Sequence, residues 1–140
     1  MNNYKVEANL NLVSNMIDPI ITSLENMGVT HANINQVNLI LEELFVNIAK
    51  YAYSTNKGFV DISYDINKDT MLLRVTIKDK GKEFNPLLKE EPDIEAKAED
   101  RPIGGLGIYL VKRLTDDITY NRINDENVLT FTKKIVLNNN

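Results

Sequence analysis

A glycine cluster, Gly104-Gly105-Leu106-Gly107, precedes a segment in which Ile108, Val111 and Leu114 have helical spacing. Glycines let a main chain approach a ligand closely, and the amides and dipole at a helix N-terminus favour an anion such as phosphate. The cluster therefore predicts a phosphate-binding turn. The alternative is an ordinary loop, because glycine is also common in connections before a helix that bind no ligand.

A second candidate is the carboxylate of Asp79, which stands just before Lys80-Gly81. It continues the alternation of Val75 and Ile77, so it is expected to point to the buried side of a strand, where it needs a hydrogen-bond donor. The alternative is that the strand ends at Lys78 and Asp79 only opens an Asp-x-Gly turn.

Three polar residues form the third feature. Glu43 and Asn47 are four residues apart and Lys50 follows three later, so a helix places them on one strip, along the edge of its apolar face. On this segment alone, a solvated helix flank with an ordinary charged neighbour is the simpler interpretation.

The elements that position these residues follow from apolar periodicity. Period-two alternation indicates strands, and recurrence at three and four residues indicates helices. In chain order we expect a strand over 4–12, a helix between Ser14 and Gly28, a longer helix after His31 to about Tyr53, strands over 60–66 and 71–77, a helix after Gly107, and strands over 118–123 and 128–137.

Two of the predicted strand pairs are hairpins, which require antiparallel pairing. The fold class expected is α/β (α+β), a two-layer sandwich with a mixed, mostly antiparallel sheet of about five strands and three helices on one face. Residues 1–140 are expected to form a single domain. Within it, residues 87–103 lack periodicity and carry many charges, which is typical of a mobile loop.

Composition excludes several functional classes. The chain has 140 residues, a formal net charge of −4, no cysteine and a single histidine, His31. Disulfide scaffolds, thiolate chemistry and cysteine-ligated metals are excluded, and nucleic acid or an anionic membrane is disfavoured as main partner. Neither a signal peptide nor a membrane span is recognisable, so we expect a cytoplasmic protein.

Taken together, the three features have the order and spacing of the GHKL superfamily of ATP-binding domains, which this sequence resembles. The asparagine box corresponds to Glu43, Asn47 and Lys50, and the two glycine boxes to DKGKEFNP from Asp79 and GGLGIYLVKRLTD from Gly104. The resemblance is closest to the stand-alone bacterial anti-sigma-factor serine/threonine kinases. It covers nearly the whole chain and implies the Bergerat-type ATPase fold.

The resemblance implies a site for ATP and Mg²⁺. Asn47 matches the metal-binding asparagine, and Asp79 matches the aspartate that accepts a hydrogen bond from the adenine amino group. Residues 87–103 become the lid over ATP. The cofactor-binding residues implied are Asn47, Lys50, Asp79, Gly81, Phe84, Arg101, Gly104, Gly105, Leu106 and Gly107.

Glu43 is implied to be the catalytic base. Histidine kinases usually have asparagine at this position, whereas the anti-sigma kinases and the ATP-hydrolysing members have a glutamate suited to take a proton from a hydroxyl or a water. Two departures are present: Tyr51 replaces the histidine common in the anti-sigma kinases, and Glu83 stands where proline or glycine is usual.

The function implied is an anti-sigma factor that binds a sigma factor, often as a homodimer, and uses ATP to phosphorylate a serine or threonine of an antagonist protein. Three alternatives stay open: an ATP-gated protein-binding module with little or no kinase activity, a detached histidine-kinase-like catalytic domain, and an ATPase of the chaperone or mismatch-repair type.

Overall fold

The computed structural model describes residues 2–53, 57–88 and 105–139, which form one antiparallel sheet covered on one face by three α-helices. This confirms the predicted α+β two-layer fold. In chain order the elements are β1 (Asn2–Glu7), a 3₁₀ turn (Leu10–Leu12), α1 (Val13–Met27), α2 (His31–Tyr51), β2 (Phe59–Asn67), β3 (Leu72–Asp79), a second 3₁₀ turn (Pro86–Leu88), α3 (Gly105–Leu114), β4 (Asp117–Ile123) and β5 (Glu126–Lys134).

The strand order is β1-β2-β3-β5-β4, and all four pairings are antiparallel. A mixed, mostly antiparallel sheet was expected. In the described residues every strand pairing is antiparallel. Because β5 lies between β3 and β4, the end of β3 meets the start of β5, and Asp79 is the register partner of Asn127. This pairing positions much of the candidate site.

The core lies between the helices and the inner face of the sheet. Alternate residues of the strands point inward, as their period-two pattern predicts. Large side chains with less than 2% exposure fill this layer: Phe45, Phe131, Met16, Ile20, Leu24, Ile40, Leu41, Leu44, Ile62, Leu73, Ile77 and Ile108.

Local signals determine where α1 ends and where α2 begins. Gly28 ends α1 with φ at 82°, a left-handed conformation that glycine adopts without strain. Thr30 begins α2, since its side-chain oxygen accepts a hydrogen bond from the Asn33 main-chain nitrogen over 3.3 Å. None of the helices described is both long and apolar enough to span a bilayer.

The first strand is shorter than predicted. Its alternation continues to Leu12 in the sequence, but β1 ends at Glu7. The Asn9 side chain accepts a hydrogen bond from the Asn11 main-chain nitrogen over 2.8 Å, which stabilises the 3₁₀ turn, and Leu10 is 51% exposed. A local asparagine cap therefore overrides the strand pattern.

Candidate functional site

The carboxylate of Glu43, on α2, packs against Gly107 in the first turns of α3. A Cβ built on Gly107 would lie 2.0 Å from Glu43 Oε2 and 2.4 Å from its Cδ, well inside the closest approach of real side chains. Glu43 is half-buried. The close contact requires glycine at position 107, and it places an acidic group beside the predicted phosphate-binding turn.

Asn47 lies one turn further along α2 and is only 6% exposed. Its amide nitrogen Nδ2 donates a hydrogen bond to the main-chain oxygen of Glu43 over 2.6 Å. This bond engages the amide nitrogen, and an amide oxygen is a ligand type that a hard cation such as Mg²⁺ prefers. The burial of Asn47 argues against the solvated-flank interpretation of the strip.

Further along α2 the strip becomes exposed, and Lys50 is open to solvent. Beside it, the rings of Tyr51 and Phe84 are in contact, with centroids 5.1 Å apart and planes inclined by 32°. The two rings join the end of α2 to the segment that follows β3. Tyr51, which departs from the histidine of the resembled kinases, thus has an aromatic partner inside the second motif.

Asp79 is the last residue of β3 and is 4% exposed, so the prediction of an inward-pointing carboxylate is confirmed. Its Oδ1 accepts two hydrogen bonds, from Asn127 Nδ2 over 2.8 Å and from the Gly81 main-chain nitrogen over 3.0 Å. The Asp-x-Gly turn weighed as an alternative therefore exists as well. Both donors converge on Oδ1, so Oδ2 is the atom placed to accept a bond from a ligand.

Burial raises the pKa of Asp79, and the hydrogen bonds from Asn127 and Gly81 offset this only in part. The guanidinium of Arg122 lowers this pKa further, and its Nη1 donates to the Gly81 main-chain oxygen over 2.9 Å. A carboxylate in such surroundings gains from an additional donor, since a further hydrogen bond would stabilise its charged form.

Asn127 is the main functional candidate that sequence reasoning missed. Its Nδ2 also donates to the Lys82 main-chain oxygen over 2.8 Å, and its Oδ1 accepts from the Phe84 main-chain nitrogen over 3.2 Å and from Tyr120 Oη over 2.5 Å. It thereby ties Asp79 and the segment after β3 to the sheet. A signal existed in the sequence: Asn127 shares the inward parity of Leu129 and Phe131.

Gly81 lies against the end of α2. A Cβ there would approach the Ala52 main-chain oxygen to 2.4 Å, and the same oxygen accepts a bond from the Lys82 main-chain nitrogen over 2.9 Å. The turn after Asp79 is consequently pressed onto α2 and admits no side chain at position 81.

A cavity of about 20 Å³ lies between α2, the sheet and the segment after β3. Asp79, Asn127 and Tyr120 supply its polar lining, and the apolar lining comes from Leu44, Ile48, Ala52, Ile77, Phe84, Pro86 and Leu129. A cavity of this size has room for about one water molecule. A planar heterocycle would enter only when Phe84 and Pro86 move outward.

The glycine cluster partly lies within the described residues. Gly105, Leu106 and Gly107 form the first turn of α3, so the predicted helix after the glycines is confirmed and begins inside the cluster. Arg101, Gly104 and most of the predicted lid over 87–103 lie outside the described residues. Leu87 and Leu88 belong to the 3₁₀ turn Pro86–Leu88.

The structure thus brings the three motifs to one side of α2. Glu43 contacts Gly107 near the N-terminus of α3, Asn47 lies one turn further along α2, and Gly81 and Phe84 contact the C-terminal end of the same helix. Its 1.5 Å rise per residue separates Asn47 from Ala52, the neighbour of Gly81, by about 7 to 8 Å, comparable with the reach from a nucleoside to its phosphates.

Known proteins resemble this chain in sequence and in fold. The profile of histidine kinase-like ATPase domains matches residues 6–133. A serine-protein kinase RsbW of Bacillus cereus is 30% identical over 112 residues, which cover 79% of this chain and 69% of that protein. The RsbW of Bacillus mycoides is 29% identical over 114 residues, with the same coverage.

A solved structure has the same fold. The crystal structure of the RsbU and RsbW domains of Rv1364c from Mycobacterium tuberculosis superimposes with a TM-score of 0.66 and 14% identity, over 96% of this chain. The present chain spans 33% of that longer one.

Proposed function

Because the chain belongs to the histidine kinase-like ATPase family, we propose that it is an anti-sigma factor that uses ATP to phosphorylate a serine or threonine of an antagonist protein. The observation that carries the proposal is the contact between Glu43 and Gly107, which places a carboxylate beside the N-terminus of α3. Relatives named serine-protein kinases support the same reaction class.

The described residues fit ATP at both ends. Oδ2 of Asp79 would accept the hydrogen bond of the adenine amino group, and Phe84 would pack against the base. The main-chain amides of Gly105, Leu106 and Gly107 lie at the positive end of the α3 dipole. They would donate hydrogen bonds to phosphate oxygens. Lys50, Arg101 and Gly104 are proposed as further phosphate contacts, with the lid over 87–103.

The donor set also fits Mg²⁺. The cation prefers oxygen ligands and is usually held by one or two protein groups together with substrate phosphates. The Asn47 side chain has an amide oxygen of this type, and its amide nitrogen donates to the Glu43 main-chain oxygen. When bound with ATP, Mg²⁺ would neutralise charge on the phosphates.

Glu43 would act as the general base. As the acceptor hydroxyl oxygen forms its bond to the γ-phosphorus, the bond from that phosphorus to the bridging oxygen of ADP breaks, and the hydroxyl proton passes to the Glu43 carboxylate. The products are a phosphoserine or phosphothreonine and ADP. The contact with Gly107 would hold the carboxylate near the terminal phosphate.

The proposed partners are a sigma factor and its antagonist, and we propose a homodimer as the working form. In this scheme the unphosphorylated antagonist causes this chain to release the sigma factor. When this chain phosphorylates the antagonist, the sigma factor is bound again. The ATP-gated module without phosphoryl transfer remains the competing proposal.

The test is transfer of labelled γ-phosphate to a purified antagonist protein from the same cell, with phosphoserine and phosphothreonine identified by mass spectrometry. Glu43→Gln, which keeps size and removes the basic group, should reduce transfer by at least about a hundredfold and change ATP affinity less than about threefold. Transfer at the parental rate would overturn the role of Glu43. ATP binding without any transfer by the parent would favour the gated module.

A further inference from the structure

A second, larger groove of about 780 Å³ lies where β2 begins and β3 ends, and it opens onto the sheet face that the helices leave uncovered. Cations dominate its lining. Its lining includes five lysines and two aromatic rings, Lys5, Lys57, Lys78, Lys80, Lys82, Tyr53 and Phe59, and we call it the lysine groove.

The lysines are spread out instead of converging on a point. Lys5 and Lys78 are both register partners of Asp61, on either side of β2, so their main chains are about 10 Å apart. Lys78, Lys80 and Lys82 follow one another at every second residue. A single phosphate is too small to reach both sides of β2, whereas an extended anion with several charges matches this spacing.

The local charge opposes that of the whole protein. The formal net charge is −4, yet among the described residues the acidic ones that line the lysine groove are Asp61 and Glu126, together with Asp79. Asp79 is buried and bonded to Asn127. The groove is thus a cationic site on an acidic surface, which attracts anionic segments over short range.

The groove also offers an apolar contact. The Phe59 side chain, at the start of β2, is 61% exposed and lines the same groove as the lysines. A nucleic acid would have to lay a long phosphate backbone along a protein of net negative charge, which is unfavourable. An acidic polypeptide can limit its charges to the groove and place one apolar side chain on Phe59.

We propose that the lysine groove docks an extended acidic segment of a partner protein. The site differs from the nucleotide site but shares a wall with it, because Ala52 and Asp79 line both the groove and the 20 Å³ cavity. The Lys82 main-chain nitrogen also donates to the Ala52 oxygen. Docking is therefore coupled to the position of the turn after Asp79, and each ligand changes the affinity for the other by the same factor.

The experiment is a fluorescence-anisotropy titration of the full chain with a labelled ten-residue peptide of glutamate that carries one central phenylalanine. The test variant replaces Lys57, Lys78 and Lys80 by glutamine, which removes charge without adding any. The control variant makes the same change at Lys68, Arg74 and Lys134, three exposed cations toward the other end of the sheet.

We expect the parent and the control variant to bind the acidic peptide equally, with affinity that falls as salt rises, and the test variant to bind about tenfold more weakly. Equal losses in both variants would overturn the proposal, as would a parent that does not bind the peptide. A parent that prefers a labelled ten-residue oligothymidylate would also overturn it and assign the groove to nucleic acid. No ATP is present in any arm, so the result is independent of the kinase proposal.

Discussion

Glu43 Oε2 lies where a side chain at Gly107 would have to be, since a Cβ on that glycine would stand 2.0 Å away. This contact joins α2 to α3 and sets the position of the carboxylate relative to the helix N-terminus. Any residue larger than glycine at position 107 has to displace the carboxylate or shift α3.

Gly107→Ala tests this relationship. Alanine favours a helix by about 1 kcal/mol over glycine, but its methyl group collides with Glu43, so we expect phosphoryl transfer to fall at least about tenfold. ATP affinity, measured by calorimetry, should fall in the same variant. In a Glu43→Ala background the collision is absent, and Gly107→Ala should then leave ATP affinity unchanged. Equal losses in both backgrounds would contradict the contact as the cause.

Asn47→Ala should weaken the binding of ATP in the presence of Mg²⁺ by at least about fivefold, because it removes the proposed ligand oxygen. Without Mg²⁺ the variant and the parent should bind ATP alike. The free energy of unfolding should change by less than about 1 kcal/mol, since the lost bond to the Glu43 oxygen is offset by the higher helix propensity of alanine.

The measurements for Asn47 are calorimetric titrations with ATP in Mg²⁺ and in EDTA, together with urea unfolding. A loss of ATP affinity that persists in EDTA would mean that Asn47 contributes to the shape of the site and not to metal binding.

Asp79→Asn tests two effects of this carboxylate, one on stability and one on the proposed contact with adenine. Burial gives the carboxylate a raised pKa, so the folded state holds its proton more tightly than the unfolded chain. The stability of the parent should therefore decrease as pH rises from the ordinary value of about 3.8 through the raised pKa, and remain lower above it. The asparagine variant lacks this decrease and should be at least as stable as the parent at neutral pH.

The same variant should lose its preference for ATP over GTP, because the amide presents a donor where the adenine amino group needs an acceptor. Urea unfolding across pH 4 to 7 and competition between the two nucleotides check the two effects. An unchanged preference for ATP would remove Asp79 from base recognition.

Asn127→Ala removes a residue that makes four hydrogen bonds, to Asp79, Lys82, Phe84 and Tyr120. It leaves the buried carboxylate with one donor fewer, and we expect unfolding free energy to fall by about 2 to 4 kcal/mol. Asn121→Ala, at an exposed position of β4, is the matched control and should change stability by less than about 0.5 kcal/mol. Similar thermal melts for the two variants would show that the network contributes little.

The sequence predicted those parts of the site that depend on local pattern. Strand parity was enough to bury Asp79, and helical spacing was enough to align Glu43 with Asn47. It failed for β1, where the side chain of Asn9 competes with the strand. Contacts between distant elements were also out of reach: the pairing of β5 beside β3, which brings Asn127 to Asp79, has no signature within either strand.

The small size of the cavity beside Asp79 has a kinetic consequence. If the form with Phe84 and Pro86 inward predominates in the free protein, nucleotide must wait for a rarer open form, and measured affinity is the intrinsic affinity reduced by the open fraction. Association rates should then level off at high nucleotide concentration, at the rate of opening. A smaller side chain at position 84 would enlarge the open population and accelerate the binding of nucleotide. In that case the movement of Phe84 and Pro86, more than the phosphate contacts, determines how quickly the protein responds to ATP.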